Sequence, residues 1–254
     1  MSGWDRHEIT RAAGTRVHAA VLGPAGAPTV VCVHGLGCSH RYFLPLAREL
    51  APAAQVVALD LPGFGRTPAP GKPLDVRGLS LALADWLRRT GRGGALVVAN
   101  SAGCQVVVDL AVHAPDLLGP VVLNAPTMDR HARTGARQLV RLLADAGRER
   151  PSLLPLLAGD YLRCGVRRWL ASFRHFLADP VETKLCHVPT PAVVVRGARD
   201  PIVSRAWVEE VAALLPHGRL AEVPRAPHAL NYSAPAALAR LIRAEIPLEP
   251  RPSH

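Results

Sequence analysis

The clearest chemical signal in the 254-residue chain is a serine placed where a strand meets a helix. The run Val97-Val98-Ala99-Asn100-Ser101-Ala102-Gly103-Cys104-Gln105-Val106-Val107 passes from a buried β-branched stretch straight into helical periodicity. A serine at such a joint stands on a sharp turn that lifts its hydroxyl above the sheet, where a base can reach it. Small residues at Ala99 and Gly103 let strand and helix pass close together, although Ala99 puts a methyl where G-x-S-x-G has glycine. Ala102 opens the helix, so its N–H faces outward and is suited to stabilising an oxyanion. An ordinary helix with a serine N-cap has the same pattern, and both readings stand at this point. A second loop, His34-Gly35-Leu36-Gly37, follows the strand Val31-Cys32-Val33. Its glycines allow backbone amides close to a substrate, which makes the Leu36 N–H the expected second donor. Leu59-Asp60-Leu61-Pro62-Gly63 reads as a strand ending in a turn, with Asp60 holding turn amides.

These residues need a scaffold, and the pattern supplies one. Apolar runs at 29–33, 55–59, 95–99, 120–124 and 191–195 lack polar alternation, as strands covered on both faces do. Helical segments are predicted near 42–50, 76–89, 102–113, 207–214 and 236–246, with a short strand at 220–223. That alternation predicts a doubly wound α/β fold with a mostly parallel sheet. The first twenty or so residues, including 16–21, are expected to form an antiparallel edge strand. From Thr127 to His187 no strand-like run occurs, only Arg/Leu-rich helical periodicity. Roughly sixty residues are too many for a structureless loop. We read them as a helical cap (127–187) inserted into a core made of 1–126 and 188–254. The tail Pro247-Leu248-Glu249-Pro250-Arg251-Pro252 is expected to fray.

Composition removes other classes. With 49% hydrophobic and 20% charged residues, the chain is neither disordered nor, with its aperiodic Gly and Pro, collagen-like. No stretch reaches the roughly 18 apolar residues of a membrane span, and the start shows no secretory h-region. The net charge of +10 invites nucleic acid. Like charges are scattered rather than clustered, however, and aromatics are only 4%, so base stacking has few platforms. Only Lys72 and Lys184 are lysine; the remaining basic residues are arginine. The five cysteines show no C-x-x-C pair, so neither a disulfide framework nor a zinc site is expected, and a cytoplasmic location follows. No metal or organic cofactor is implied. A monomer or homodimer acting on a small molecule is expected.

With His34-Gly35, Asp60-x-x-Gly63-x-Gly65 and Asn100-Ser101-Ala102-Gly103 in place, nearly the whole chain resembles the α/β-hydrolase fold superfamily. The resemblance implies an eight-stranded sheet and a triad in the chain order Ser, acid, His. After Val195 comes Arg196-Gly197-Ala198-Arg199-Asp200-Pro201, which puts Asp200 in the acid's place; a turn cap before Pro201 is the competing role. The other acid position of the family holds Asn124, which carries no charge, and Asp129 lies too far along. Pro224-Arg225-Ala226-Pro227-His228 precedes the last helix, making His228 the base; a surface loop histidine is its alternative. His40, His113, His131, His175, His187 and His217 lack a strand-end context and are expected to be solvated. His228 would deprotonate Ser101, Asp200 would orient and stabilise the imidazolium, and Leu36 and Ala102 would hold the oxyanion.

His34, Gly35 and Asn100 are expected to meet substrate, together with Arg167 and Trp169 of the cap; His34 is also the main rival to His228, but its His-Gly loop position suggests a part in shaping the oxyanion loop. Asn100 before the serine resembles the meta-cleavage C–C hydrolases, and Arg163, Arg167 and Arg168 could form a carboxylate clamp. Solvation of an exposed helix accounts for those arginines equally well. Ester or thioester hydrolysis leads, C–C hydrolysis comes second, and a non-hydrolytic receptor or cyclisation-guiding pocket is the reading from a different class.

Overall fold

The computed structural model describes residues 3–245, so the proline-rich tail and the predicted helix end at Ile246 lie outside the described residues. The chain begins with a hairpin, β1 (Arg6–Ala12) and β2 (Thr15–Leu22), paired antiparallel from Arg6↔Val21 to Ala12↔Thr15. Ala13 and Gly14 turn it with positive φ at both positions, as the tightest hairpin loop requires. The sequence suggested one edge strand here. β1 escaped notice because charged residues interrupt it and most of its side chains are solvated or half-buried.

The apolar runs become β3 (Thr29–Val33), β4 (Gln55–Leu59), β5 (Leu96–Asn100), β6 (Val121–Asn124) and β7 (Ala192–Gly197), and β8 (Gly218–Val223) completes the sheet. Its order is β1-β2-β4-β3-β5-β6-β7-β8, parallel from β4 to β8. Helix α1 (Leu44–Leu50) follows β3, α2 (Val76–Thr90) follows β4, and α3 (Ala102–His113) follows β5. Between β6 and β7 the chain is helical, with α4 (Gly135–Ala146), α5 (Leu153–Cys164) and α6 (Val166–Ala178). Helices α7 (Arg205–Leu214), α8 (Leu230–Ser233) and α9 (Pro235–Arg243) close the chain. The core lies where sheet and helices meet and includes Trp86 and Trp207, both fully buried. Burying each such large apolar side chain contributes about 1.5–3 kcal/mol.

Chain direction across the sheet reverses between β3 and β5: β3 sends the chain toward β4, whereas β5 starts the run toward β8. Loops leaving the carboxyl ends of two such strands part company and leave a crevice, the usual ligand site of an open α/β sheet. The His34-Gly35 loop and Ser101 stand at this reversal.

Asp60 does hold a turn amide, that of Arg66 at 2.9 Å. It does more than this. Its carboxylate also takes the Nδ1–H groups of His18 and His40, each at 2.9 Å, and the His40 backbone N–H at 2.7 Å. His40, expected to be solvated, is buried for this reason. His113 is likewise shielded, with Nε2 2.8 Å from the Ser80 hydroxyl. The carboxylate of Asp60 is held well below the usual range: burial opposes ionisation, but the two histidine bonds outweigh it.

Candidate active site

Ser101 sits between β5 and α3 with φ 56° and ψ −126°, a conformation that an L-residue adopts only at a cost of about 1–3 kcal/mol. It is not a capping serine: its side chain bonds no amide of α3. Its own N–H is tied to the Asn124 carbonyl at 2.9 Å, which fixes the joint against β6. Gly103 explains how the helix fits. A Cβ there would lie 2.6 Å from the carbonyl oxygens of both Val33 and His34. Gly103→Ala should therefore force β3 and α3 apart, lowering stability by about 1–3 kcal/mol in a thermal melt and lowering activity with it.

The facing loop is equally constrained. A Cβ on Gly35 would meet Ser101 Cβ at 3.0 Å. Gly35 N–H donates to the Tyr42 hydroxyl at 2.8 Å, and that hydroxyl donates to Asn100 Oδ1 at 2.9 Å. Asn100 Nδ2 in turn donates to the Asn124 carbonyl at 3.2 Å. Asn100 borders the cavity but spends its amide on this bracing. His34 does not line the cavity. Its Nδ1–H donates to the Gly35 carbonyl at 2.8 Å, so Nε2 is left to accept the Leu61 N–H at 3.0 Å. Burial lowers its pKa, which suits the neutral ring this arrangement needs. His34 thus shapes the loop instead of touching substrate. Leu36 and Ala102 both reach the cavity. The Ala102 N–H opens α3 and lacks an intrahelical acceptor. The Leu36 N–H makes no backbone hydrogen bond among the described residues.

Asp200 makes both kinds of contact that its position suggested. One carboxylate oxygen accepts the N–H groups of Ile202 and Val203 at 2.7 and 3.0 Å, and the other accepts His228 Nδ1–H at 2.8 Å. That bond leaves the lone pair of His228 on Nε2. Ser101 and His228 line the same cavity, with no hydrogen bond joining them directly among the described residues. Asp129 is committed elsewhere, to Arg141 and the Ser204 hydroxyl.

The cavity has a volume of about 720 Å³, solvent at its mouth included. The helical segment supplies most of its roof: Leu142, Leu153, Leu157, Tyr161, Trp169 and Phe173. Trp169 is therefore where the sequence put it, stacked on Phe173 with ring centroids 5.1 Å apart. Arg167 is not; it is exposed on α6, outside the cavity. Arg163 is also exposed, and Arg168 donates to the Pro70 carbonyl at 2.8 Å. Among the described residues no arginine borders the cavity, because the apolar face of α6 turns inward and its arginines point away from it.

Instead the roof contributes two acids, Asp145 and Glu149. Asp145 accepts the His228 N–H at 3.3 Å, and Glu149 accepts the Ala229 N–H at 2.6 Å and bonds the Ser233 hydroxyl. Burial pushes the Asp145 carboxyl well above the usual carboxylate range; His228 opposes this, and Glu149 and Asp200 add to it. Burial alone would lower the His228 pKa, but Asp200, Asp145 and Glu149 reverse that and push it up to about 9. Sequence reasoning missed these two acids and Tyr42. The spacing of Asp145 and Glu149, one helical turn apart, was the available signal.

A fold with this site is shared with known proteins. Residues 30–241 match the model of an alpha/beta hydrolase family. The chain belongs to that family. It is 34% identical over 203 residues to lipase LipV of Mycobacterium tuberculosis, covering 80% of this chain and 64% of the lipase. It is 30% identical over 217 residues to the dihydrolipoyllysine-residue acetyltransferase component of the acetoin cleaving system of Cupriavidus necator, covering 77% of this chain and 58% of that one. The chain thus spans less than two thirds of either relative. The enol-lactonase of Burkholderia xenovorans LB400 shares the fold with a TM-score of 0.78, at 19% identity over 93% of this chain and 98% of that one. No helix among the described residues is long and apolar enough to cross a membrane.

Proposed function

We propose that the protein is a serine hydrolase that cleaves an ester or thioester of a small organic substrate through an acyl-enzyme on Ser101. The observation that carries this reading is the His228–Asp200 pair at 2.8 Å, with His228 on the wall of the cavity that Ser101 enters from its strained joint. In the first half-reaction His228 Nε2 takes the Ser101 proton as the oxygen attacks the carbonyl carbon. Asp200 keeps the imidazolium in place, and the Leu36 and Ala102 amides receive the developing oxyanion. His228 then protonates the leaving alcohol or thiol, and water repeats the sequence to free the acid. The helical segment acts as a cap over the cavity. A lipase and an enol-lactonase among similar proteins support acyl chemistry. C–C hydrolysis is the weaker alternative, since Asn100 is occupied by Tyr42 and no lysine or arginine among the described residues faces the cavity. The two roof acids favour neutral or amine-bearing substrates over carboxylates.

The test is covalent. A fluorophosphonate probe should add its mass to Ser101 of the wild type and leave Ser101→Ala unmodified. Folded wild-type protein that takes up no label would point to a non-hydrolytic binding pocket.

The pH profile has a definite sign. His228 acts as a base only when neutral, and its pKa stands at about 9. With a neutral ester, kcat/KM should climb as pH rises through about 9. Asp145→Asn removes a charge that favours the imidazolium, so the rising limb should move to lower pH and activity near neutrality should increase. A limb that stays in place would show that Asp145 does not act on His228.

A further inference from the structure

On the other side of the catalytic loop three histidines converge. His7 comes from β1, His18 from β2, and His40 from the turn before α1. One ring nitrogen of each lies within 4.8 Å of the others. His7 Nδ1 is 3.0 Å from His18 Nε2. Ring centroids are 5.1 Å apart for His7 and His18, 5.8 Å for His7 and His40, and 4.7 Å for His18 and His40. We propose that His7, His18 and His40 form a metal site for a divalent transition ion, zinc above all, with Asp60 orienting two of the three ligands.

The argument rests on where the protons are. A carboxylate can only accept, so the bonds from His18 Nδ1 and His40 Nδ1 to Asp60 place a hydrogen on each Nδ1. In the neutral rings both Nε2 atoms then carry lone pairs. Carboxylate–histidine pairs of this kind fix tautomer and ring direction around protein-bound metals and raise the basicity of the ligating nitrogen. His18 and His40 are buried and rigidly held, whereas His7 is exposed. His7 can therefore swing in as the third ligand without disturbing the core. Imidazole nitrogens about 2.0–2.1 Å from a tetrahedral zinc are roughly 3.3 Å apart. The 3.0 Å His7–His18 pair lies near that spacing, and the exposed His7 ring is the one free to adjust toward the fixed His18 and His40, all three ligand atoms lying within 4.8 Å of one another. A three-imidazole set without sulfur suits zinc, copper or nickel.

Charge also specifies the fourth ligand. Arg16 and Arg66 share a groove with His7 and His18. They disfavour a bare dication, and an anionic fourth ligand such as hydroxide or a carboxylate offsets them. A bound ion would fasten the β1–β2 hairpin to the turn that follows the Leu36 loop. It would act as a brace behind the site, with no part in the bond-breaking steps.

Isothermal titration of the untagged full chain with zinc chloride should show one strong site. Cobalt should give the visible absorption of a tetrahedral ion. His7→Ala is the test variant because the side chain is exposed. It should bind zinc at least tenfold more weakly and lose the cobalt band, while Ser101 labelling shows that it remains folded. Absence of zinc binding by the wild type would overturn the proposal, as would equal affinity in His7→Ala. In either case Asp60 and its histidines form a buried proton-sharing cluster and no metal site.

Discussion

Ser101→Ala should reduce kcat on an activated ester by about a million-fold, to the small residue left by binding and the oxyanion donors. Alanine removes only the nucleophilic oxygen. The joint keeps its path, because that path is set by the Ser101 N–H bond to Asn124 and by the close approach of Gly103 to β3. Circular dichroism and thermal melting should therefore match the wild type. Ser101→Gly sharpens the point. It should be as inactive as the alanine variant yet melt higher, since glycine adopts φ 56° without the steric cost, which is worth about 1 kcal/mol or more. A serine selected merely to start a helix would show neither behaviour.

Asp200→Asn should cost about ten-thousand-fold in kcat at neutral pH. The loss comes from geometry as much as charge. Asn can still accept the Ile202 and Val203 N–H groups through its oxygen, so the turn survives. Its NH2 group then confronts His228 Nδ1, which can no longer donate there. The imidazole is driven to the tautomer with its proton on Nε2, the nitrogen needed as the base. Stability should change little by thermal melting, and Ser101 should lose reactivity toward the fluorophosphonate. Near-normal turnover by this variant would mean that another acid, with Asp145 the nearest candidate, supports His228.

How much of this was legible follows from the range of each interaction. The strand-to-helix joint at Ser101 is local: apolar run, small residues and helix start are contiguous, so sequence alone reveals it. Asp200 and His228 were identifiable because each follows a strand in a fold whose chain order is fixed. Arg167 was misplaced, and His34 shapes its loop as expected but does not reach the cavity, because side-chain direction on a helix or in a loop depends on what packs against it. On α6 the aromatic face claims the cavity and the arginines turn outward; His34 is captured by Gly35 and Leu61. β1 was missed because an exposed edge strand has no apolar pattern to display.

Periodicity and neighbouring residues were enough to read the alternating strands and helices and to single out Ser101, Asp200 and His228 as the candidate triad. The strand order with its reversal, the acids in place of arginines at the cavity, the Tyr42 brace on Asn100, and the meeting of His7 with the two histidines bonded to Asp60 all came from the folded chain. Each of those is a meeting of residues far apart in sequence. No local propensity encodes such a meeting; it comes from the packing of the hairpin, the sheet and the helical roof against one another.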